Sequence, residues 1–456
     1  MGEKKKRTLR VEYDKEIKIE FHGAQITSDA GLLPYRELDE ALNLTEMSAA
    51  LLIDPRTGGN KQHSFLAMLR QSICSRLAGY EDVNDAERLR VDPAMRFAIG
   101  GRAKEKNAAS TSEMGRFETE MLSLKKNLNT LMALPGIWVD RVREHKPPDE
   151  IILDMDSSES ETYGNQQGSA YNGYFKRNCY HPLFLFNQDG DIERAMLRRG
   201  NVHSAKYWKR VLVPAVERYK DMDIKKYFRG DAAFADPDIY EYLEEEGYLY
   251  AIRLKSNNVL MEKVRHLTDA RPVGRPSREP KVFYESFDYQ AASWKKPRRV
   301  VAKVEWHADE LFARVGFIVS NRTISARKVV KFYNGRGTAE QWIKEGKNAV
   351  KWTKLSCRNF RDNQTRLQLF ALAYNLGNFL RRLALPRSVK HWSLTTLREK
   401  LIKIGAKVIR HARYAVFQMA EVAVSRKLFK QILDNIRKLY VLRPCVSCRG
   451  APSATG

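Results

Sequence analysis

Residues 150–158 read EIILDMDSS, and this stretch decides the fold class. A run of Ile151, Ile152, Leu153 and Met155 that closes on small polar residues predicts a β-strand ending near Ser157. Asp154 and Asp156 stand two apart, so on a strand they point to the same face. A carboxylate at a strand's exit is held rigidly, and the serines after it leave room for a substrate, which suits a metal ligand. The same position also suits a turn or a cap, and the stretch alone leaves both roles open.

Upstream lies EHKPPDE (144–150), where Pro147 and Pro148 exclude helix and predict an extended linker. Before it, LLPYRELDEALNL (32–44), HSFLAMLRQSICSRLAGY (63–80) and MGRFETEMLSLKKNLNTLMAL (114–134) carry apolar residues at helix period, so residues 1–145 read as a helical region. Downstream, YFKRNCYHPLFLFN (174–187) and DIERAMLRRGN (191–201) read as neighbouring strands joined by a turn at Gln188 to Asp191. Helix SAKYWKRVLVPAVERYK (204–220), strand KKYFRGD (225–231), helix DPDIYEYLEEEG (236–247) and strand YLYAIRLK (248–255) follow. Three strands and then helix and strand in alternation predict a mixed α/β sheet with helices packed on it, over residues 146–260. KVFYESFDYQ, RRVVAKVEWH and LFARVGFIVSN break the alternation and read as a β-rich insertion at 261–320. From 321 to 390 the chain turns helical, with RKVVKFYNGRGTAEQWIKEGKNAV (327–350) as one helix. A basic, helical C-terminal region at 391–456 contains VIRHARYAVFQMA and RKLFKQILDNIRKLY.

Lys and Arg number 80 against 55 Asp and Glu, a formal charge of +25, so the first partner to consider is a polyanion, with nucleic acid foremost. Five scattered cysteines make a disulfide framework improbable and fit a reducing compartment. The basic N-terminus has no apolar run behind it, and no stretch approaches the roughly 18 apolar residues that span a bilayer. The expectation is a cytoplasmic protein with no membrane association.

Two further segments carry chemistry. Asp231 in KKYFRGDAAF ends a second strand between Gly230 and two alanines, unobstructed enough to meet a bulky ligand, or serving an ordinary strand-to-helix turn. Tyr333, Arg336, Glu340 and Lys347 lie 3, 4 and 7 residues apart in succession. On one continuous helix at 100° per residue they fall within an arc of about 60°. A Glu between two cations and a phenol would grip a metal and a phosphodiester together. The plainer alternative is a solvated face with an Arg336–Glu340 pair, worth only about 0.3 kcal/mol. Weaker signals are Cys445 and Cys448, a lone CxxC best read as tail thiols, and Gly274, Arg275 and Pro276 in a basic loop. His181 and His203 sit beside the strands, where either could position a phosphate or water, although a lone His at a strand end is more often a structural residue.

At this point the chain resembles the DDE transposases of bacterial insertion sequences, in the group marked by a Tyr, Arg, Glu, Lys signature with two, three and six residues between. More narrowly, it is similar to the insertion-sequence family thirteen-eighty. LDMDSSES, QQGSAYNGYFKRNCYHPL, RRGNVHSA, FRGDAAF, YAIRLKSN and KLSCRNFRDNQTRLQLFALAYNL follow that family's blocks in order, and HSFLAMLRQSICSRLAGYEDVNDAERLRVDP resembles its N-terminal region. The resemblance implies an RNase H-like catalytic core interrupted by a β-strand insertion, with Asp156, Asp231 and Glu340 binding two Mg²⁺ ions, for which Mn²⁺ substitutes. It implies that Tyr333, Arg336 and Lys347 contact the transposon end and that Arg253 and Lys255 approach the DNA. DSSE stands where the family usually has a Thr near the first Asp, which leaves Asp154 as an alternative first carboxylate. The implied function is metal-dependent cleavage and strand transfer of double-stranded DNA by a homodimer, with the helical N-terminal region supplying end recognition. The alternatives are an RNase H-like nuclease without strand transfer, or a domesticated DNA-binding protein.

Overall fold

A computed structural model describes residues 9–10, 18–19, 25–59, 61–269, 279–308, 310–411 and 414–441. The loop at Gly274–Pro276 and the Cys445–Cys448 pair lie outside the described residues.

The strand read at 150–158 forms as β1 (Glu150–Ser157). Antiparallel to it runs β2 (Leu183–Phe186), followed by β3 (Ile192–Met196), while β4 (Lys225–Gly230) lies parallel to β1, and β5 (Leu249–Leu254) lies parallel to β4. The strands at 281–320 are Lys281–Tyr289 (β6), Arg298–Trp306 (β7) and Arg314–Ser320 (β8). They form no separate sheet: β8 pairs antiparallel with β5, and the eight strands run β6-β7-β8-β5-β4-β1-β2-β3. The expected insertion therefore widens the central sheet from its β5 edge. The result is a large mixed α/β sheet flanked by helices.

One predicted strand is broken. Residues 174–187 divide at His181–Pro182: Arg177–Tyr180 joins a small sheet with Ser160–Glu161 and Ala170–Asn172, and only 183–186 enters the main sheet. Proline lacks the N–H that a continuous ladder needs, so the crossing falls there. A second correction concerns VIRHARYAVFQMA, expected in a helical region. Ala406–Arg410 and Ala415–Met419 pair antiparallel, and Gln25–Thr27 adds to them from the other end of the chain. Along the first strand Ala406 and Val408 are buried while Lys407 is exposed, an alternation of period two that outweighs the segment's helix formers.

Helices α1 (Phe65–Leu77), α2 (Lys125–Arg143), α3 (Trp208–Arg218), α4 (Pro237–Glu245), α5 (Ala326–Asn334), α6 (Gly337–Glu345), α7 (Phe360–Phe379) and α8 (Arg426–Val441) cover the sheet and build the body beside it. One face of the sheet packs on α3 and α4 through Leu153, Phe228, Val211 and Ile239. The other face packs on α5 through Ala251, Val301, Ile318 and Val330, and at its β2–β3 end it belongs to a larger core that unites Leu38, Leu69 and Trp138 from the N-terminal region with Phe370, Leu401 and Ile436. Residues from the two ends of the chain thus share one core.

Helix α7 is buried along nearly all its length, and its polar side chains have a purpose. Strand β3 is a sheet edge, whose outward N–H and C=O groups would be unpaired if simply covered by apolar side chains. Asn375 closes the gap, accepting from the Ile192 N–H at 2.8 Å and donating to the Ile192 carbonyl at 2.9 Å. Gln368 donates to the Ala195 carbonyl at 3.0 Å, and Gln364 accepts from the Leu197 N–H. Charge is buried the same way: Glu193 on β3 is wholly covered but holds Arg218 at 2.8 Å and Arg143 at 3.2 Å. Burial opposes ionisation of Glu193, yet the two guanidiniums keep its carboxyl below the ordinary range.

Candidate active site

The parallel pairing of β1 with β4 sets Met155 opposite Gly230, so Asp156 and Asp231 leave the sheet side by side. Carboxyl ends of adjacent parallel strands are where α/β sheets present ligand-binding groups. Asp156 is buried, and its Oδ1 accepts from the Ser157 N–H at 2.9 Å. Asp231 is half-exposed and caps the short turn after it, accepting from the Ala233 N–H at 2.9 Å. The capping role open in the sequence is therefore occupied by Asp231, through one oxygen.

Glu340 arrives from α6, which is fastened to the sheet by tryptophans. Trp342 packs against Phe186 at 5.5 Å and against the β2–β3 turn, where Gly190 (φ 79°) has no room for a Cβ, which would lie 2.7 Å from the indole Nε1. Beyond α6, Trp352 stacks on Phe184 at 4.6 Å. These contacts on β2 swing the N-terminal turn of α6 over the exits of β1 and β4.

The four residues Tyr333, Arg336, Glu340 and Lys347 do not share one continuous helix. Tyr333 belongs to α5, and Arg336 lies in the break before α6. Lys347 sits in a widened π-turn at Gly346–Val350. At the break the N–H groups of Gly335 and Arg336 bond three residues back, to the carbonyls of Phe332 and Tyr333, which tightens the turn. Two glycines flank Arg336, and a Cβ on Gly335 would meet the Arg229 guanidinium at 2.2 Å, so helix formers are lacking and the close approach needs glycine. Across this break Arg336 still has Tyr333 and Glu340 beside it, and it is Lys347 that departs from the count of about 100° per residue.

What gathers the carboxylates is Arg336. Its guanidinium lies 2.8 Å from Asp156 Oδ2, 3.3 Å from Glu340 Oε1 and 3.9 Å from Asp231 Oδ2. Lys347 is held elsewhere, by Glu159 at 2.8 Å. Tyr333 is half-buried and touches Arg253, and the two line a cavity of about 230 Å³ with Lys303 and Asn334. Lys255 is exposed just past the end of β5.

Asp154 takes no part in this cluster. It is fully buried, and its two oxygens accept from Arg229 Nε at 2.7 Å and Nη2 at 2.6 Å. Same-face alternation was read correctly, but the partner that turns Asp154 into a structural group, Arg229, stands 75 residues away. His181 is likewise structural. Its ring bonds the Val202 carbonyl at 2.9 Å and Ser157 Oγ at 3.0 Å, and burial, with Arg198 nearby, brings its pKa down to about 4. At neutral pH it is uncharged, its Nδ1–H donating to Val202 and Nε2 accepting from Ser157. His203 is exposed and accepts from the Ala205 N–H at 3.3 Å. Glu159 and Arg229 escaped the sequence reading, and Ser157 was read only as leaving room for a substrate. Only the adjacency of Glu159 to Asp156, and of Arg229 to Asp231, could have drawn notice to the first two.

Among the described residues, no three His, Cys, Asp or Glu side chains are gathered closely enough to clasp a metal ion by themselves. The space between the three carboxylates is taken by the guanidinium. The donor set nonetheless fits a hard divalent cation, since all three groups offer oxygen and bracket a single cation already. Arg336 fills the place imperfectly, because its Nε is buried without a hydrogen-bond partner.

The cluster carries an electrostatic penalty. Burial, only partly offset by Arg336 and reinforced by Asp231, raises the Asp156 carboxyl to about 6. A carboxyl whose pKa is raised on folding is unpenalised below its unfolded value and loses stability as pH rises through the folded one. Asp156→Asn is therefore expected to stabilise the metal-free protein by roughly 2–3 kcal/mol above pH 7. The difference should fade to nothing near pH 4. Urea denaturation at pH 4, 6 and 8 checks this, and a variant no more stable than wild type at pH 8 refutes it.

No curated protein matches the sequence. A solved structure described as the cryo-EM structure of a piggyBac transposase synaptic complex with hairpin DNA is similar over 82% of this chain and 80% of that one. The identity is 11% and the TM-score 0.42, too distant to bear on the site. Residues 9–441 match the family described as "Transposase DDE domain group 1". That match spans nearly the whole sequence, including both strand exits and the helix break, and the chain belongs to this family of DDE transposases.

Proposed function

We propose that this DNA transposase cuts and rejoins double-stranded DNA at transposon ends, with Asp156, Asp231 and Glu340 as the carboxylates that hold divalent metal, Mg²⁺ or Mn²⁺. The observation that carries the reading is the convergence of these three side chains, from three separate elements, on the Arg336 guanidinium. Bound metal supplies Lewis-acid stabilisation of the phosphoryl group and a more acidic attacking water or hydroxyl. The chain's own residues do the rest. Arg336, once released from the carboxylates, and Lys347, once released from Glu159, would hold phosphate oxygens, while Tyr333 and Arg253, which line one cavity, would meet the strand's sugar and base side. Buried Asp154 and Arg229 keep β1 and β4 in register beneath them. An RNase H-like core is the fold reading that goes with this chemistry, and a homodimer the assembly, since two ends must be joined.

The test uses supercoiled plasmid carrying the element's terminal repeats. With Mg²⁺ or Mn²⁺ the protein is expected to nick and then to join the cut ends to a second DNA, and EDTA should abolish both. Cleavage in EDTA would overturn the metal assignment. Cleavage without joining would favour a nuclease.

A further inference from the structure

Between Asp156 and the second strand of the sheet, residues 160–180 leave the core as a small three-stranded flap. Ser160–Glu161 and Ala170–Asn172 both pair with Arg177–Tyr180. Its base is bolted to the catalytic region. Gln166 donates to the Leu355 carbonyl at 2.6 Å and the Cys357 carbonyl at 3.0 Å, and Asn172 donates to the Gly200 carbonyl at 2.7 Å. Tyr180 donates to the Gln167 carbonyl at 2.9 Å and is edge-on to Phe360 at 5.7 Å.

The outer side of the flap is the opposite of its base. Tyr163, Tyr171 and Tyr174 are 74%, 61% and 88% exposed, the last among the most exposed large apolar groups described. Tyr174 is backed edge-on by Phe175 at 5.0 Å, and Phe175 by His181 at 5.5 Å, so the ring stands on a support that reaches the residue bonded to Ser157. Exposed rings so concentrated on one small, firmly anchored element mark a contact surface. Exposed cations accompany them: Lys176 on the flap and Arg199, bridged to Tyr180 through backbone. Glu161 opposes this charge but is engaged by Arg177 at 3.0 Å and by Tyr163. Aromatic faces interleaved with positive charge complement a nucleic-acid strand whose bases are out of the duplex, because paired bases are already stacked and offer no face to a tyrosine.

We propose that this flap is a stacking platform for unpaired DNA bases beside the strand being cut, with Tyr174, Tyr171 and Tyr163 as the stacking residues. The inference rests on the DNA-cleaving reading above and adds to it a preference for unpaired bases that the carboxylate cluster itself does not require.

The full-length chain is titrated with fluorescein-labelled oligothymidylate and, separately, with a fully paired duplex of the same length. Wild type should bind both. Tyr174→Ala and Tyr171→Ala should each weaken oligothymidylate binding by about 5- to 150-fold, the range for losing one base–aromatic stack. Duplex binding should change by less than about threefold, and Tyr174→Phe should restore binding of the single strand. Equal losses on both DNAs, or no loss on either, would overturn the platform while leaving the transposase reading intact. So would conversion of a dimer to a monomer by Tyr174→Ala in light scattering, which would make the flap a protein interface. Wild-type protein that binds neither DNA would overturn the platform and the parent reading together.

Discussion

Asp231→Asn is expected to lower DNA strand cleavage by at least about 10³-fold while leaving DNA binding intact. Asparagine keeps the oxygen that accepts from the Ala233 N–H, and Asn caps as well as Asp, so the turn after β4 should persist. What disappears is one negative charge of three. If the carboxylates hold the catalytic metal, losing one removes several kcal/mol of transition-state stabilisation, and each 1.36 kcal/mol is a factor of ten in rate. Binding should hold or tighten slightly, since an acidic group near a polyanion is repulsive. Glu340→Gln should behave alike, because Glu340 is exposed and pairs with Arg336. Gel shift and plasmid nicking on the same preparations separate the two effects. Cleavage within tenfold of wild type by either variant would remove that residue from the proposed metal site.

Arg229→Ala should cost the fold about 3–5 kcal/mol, the range for stranding one partner of a buried ion pair. Asp154 is wholly covered, receives two short hydrogen bonds from Arg229, and has no water to turn to when that guanidinium is gone. Arg229 also donates to the Phe332 carbonyl at 3.0 Å and packs over the Phe332 ring at 5.2 Å, so it ties the strand before Asp231 to the helix before Arg336. The loss should appear as a lower urea midpoint. The double change Asp154→Leu with Arg229→Met should recover most of it, because matched apolar groups remove the desolvation cost along with the attraction. A loss below about 1 kcal/mol from Arg229→Ala would mean that Asp154 is not a structural anchor, and would reopen its candidacy as the first carboxylate.

Local pattern was sufficient for much of this molecule. The apolar run 150–158, the alternation of strand and helix to residue 255, and the positions of Asp156 and Asp231 at strand exits all follow from period and turn chemistry. Those rules depend on neighbours a few residues apart, and the chain obeys them wherever a strand or helix has one clear face. They failed where a distant contact outweighed them. Residues 406–419 form a hairpin that Gln25–Thr27 extends, and 281–320 widens the main sheet because β8 finds the free edge of β5. The presumed single helix from 327 to 350 breaks at Gly335, where Arg229 needs the space of a side chain.

By itself, then, the sequence determined the strand that begins the mixed sheet, the carboxylates at the ends of two strands, and a net charge of +25. Only the tertiary structure decided that Asp154 is an anchor while Asp156 is not. It also decided that Lys347 answers to Glu159, and that Arg336 stands among three carboxylates contributed by separate elements. The physical reason is that a charged group's role depends on what solvates it. Solvation is set by side chains brought close through the packing of the sheet, often from a hundred or more residues away, and periodicity along the chain carries no record of them.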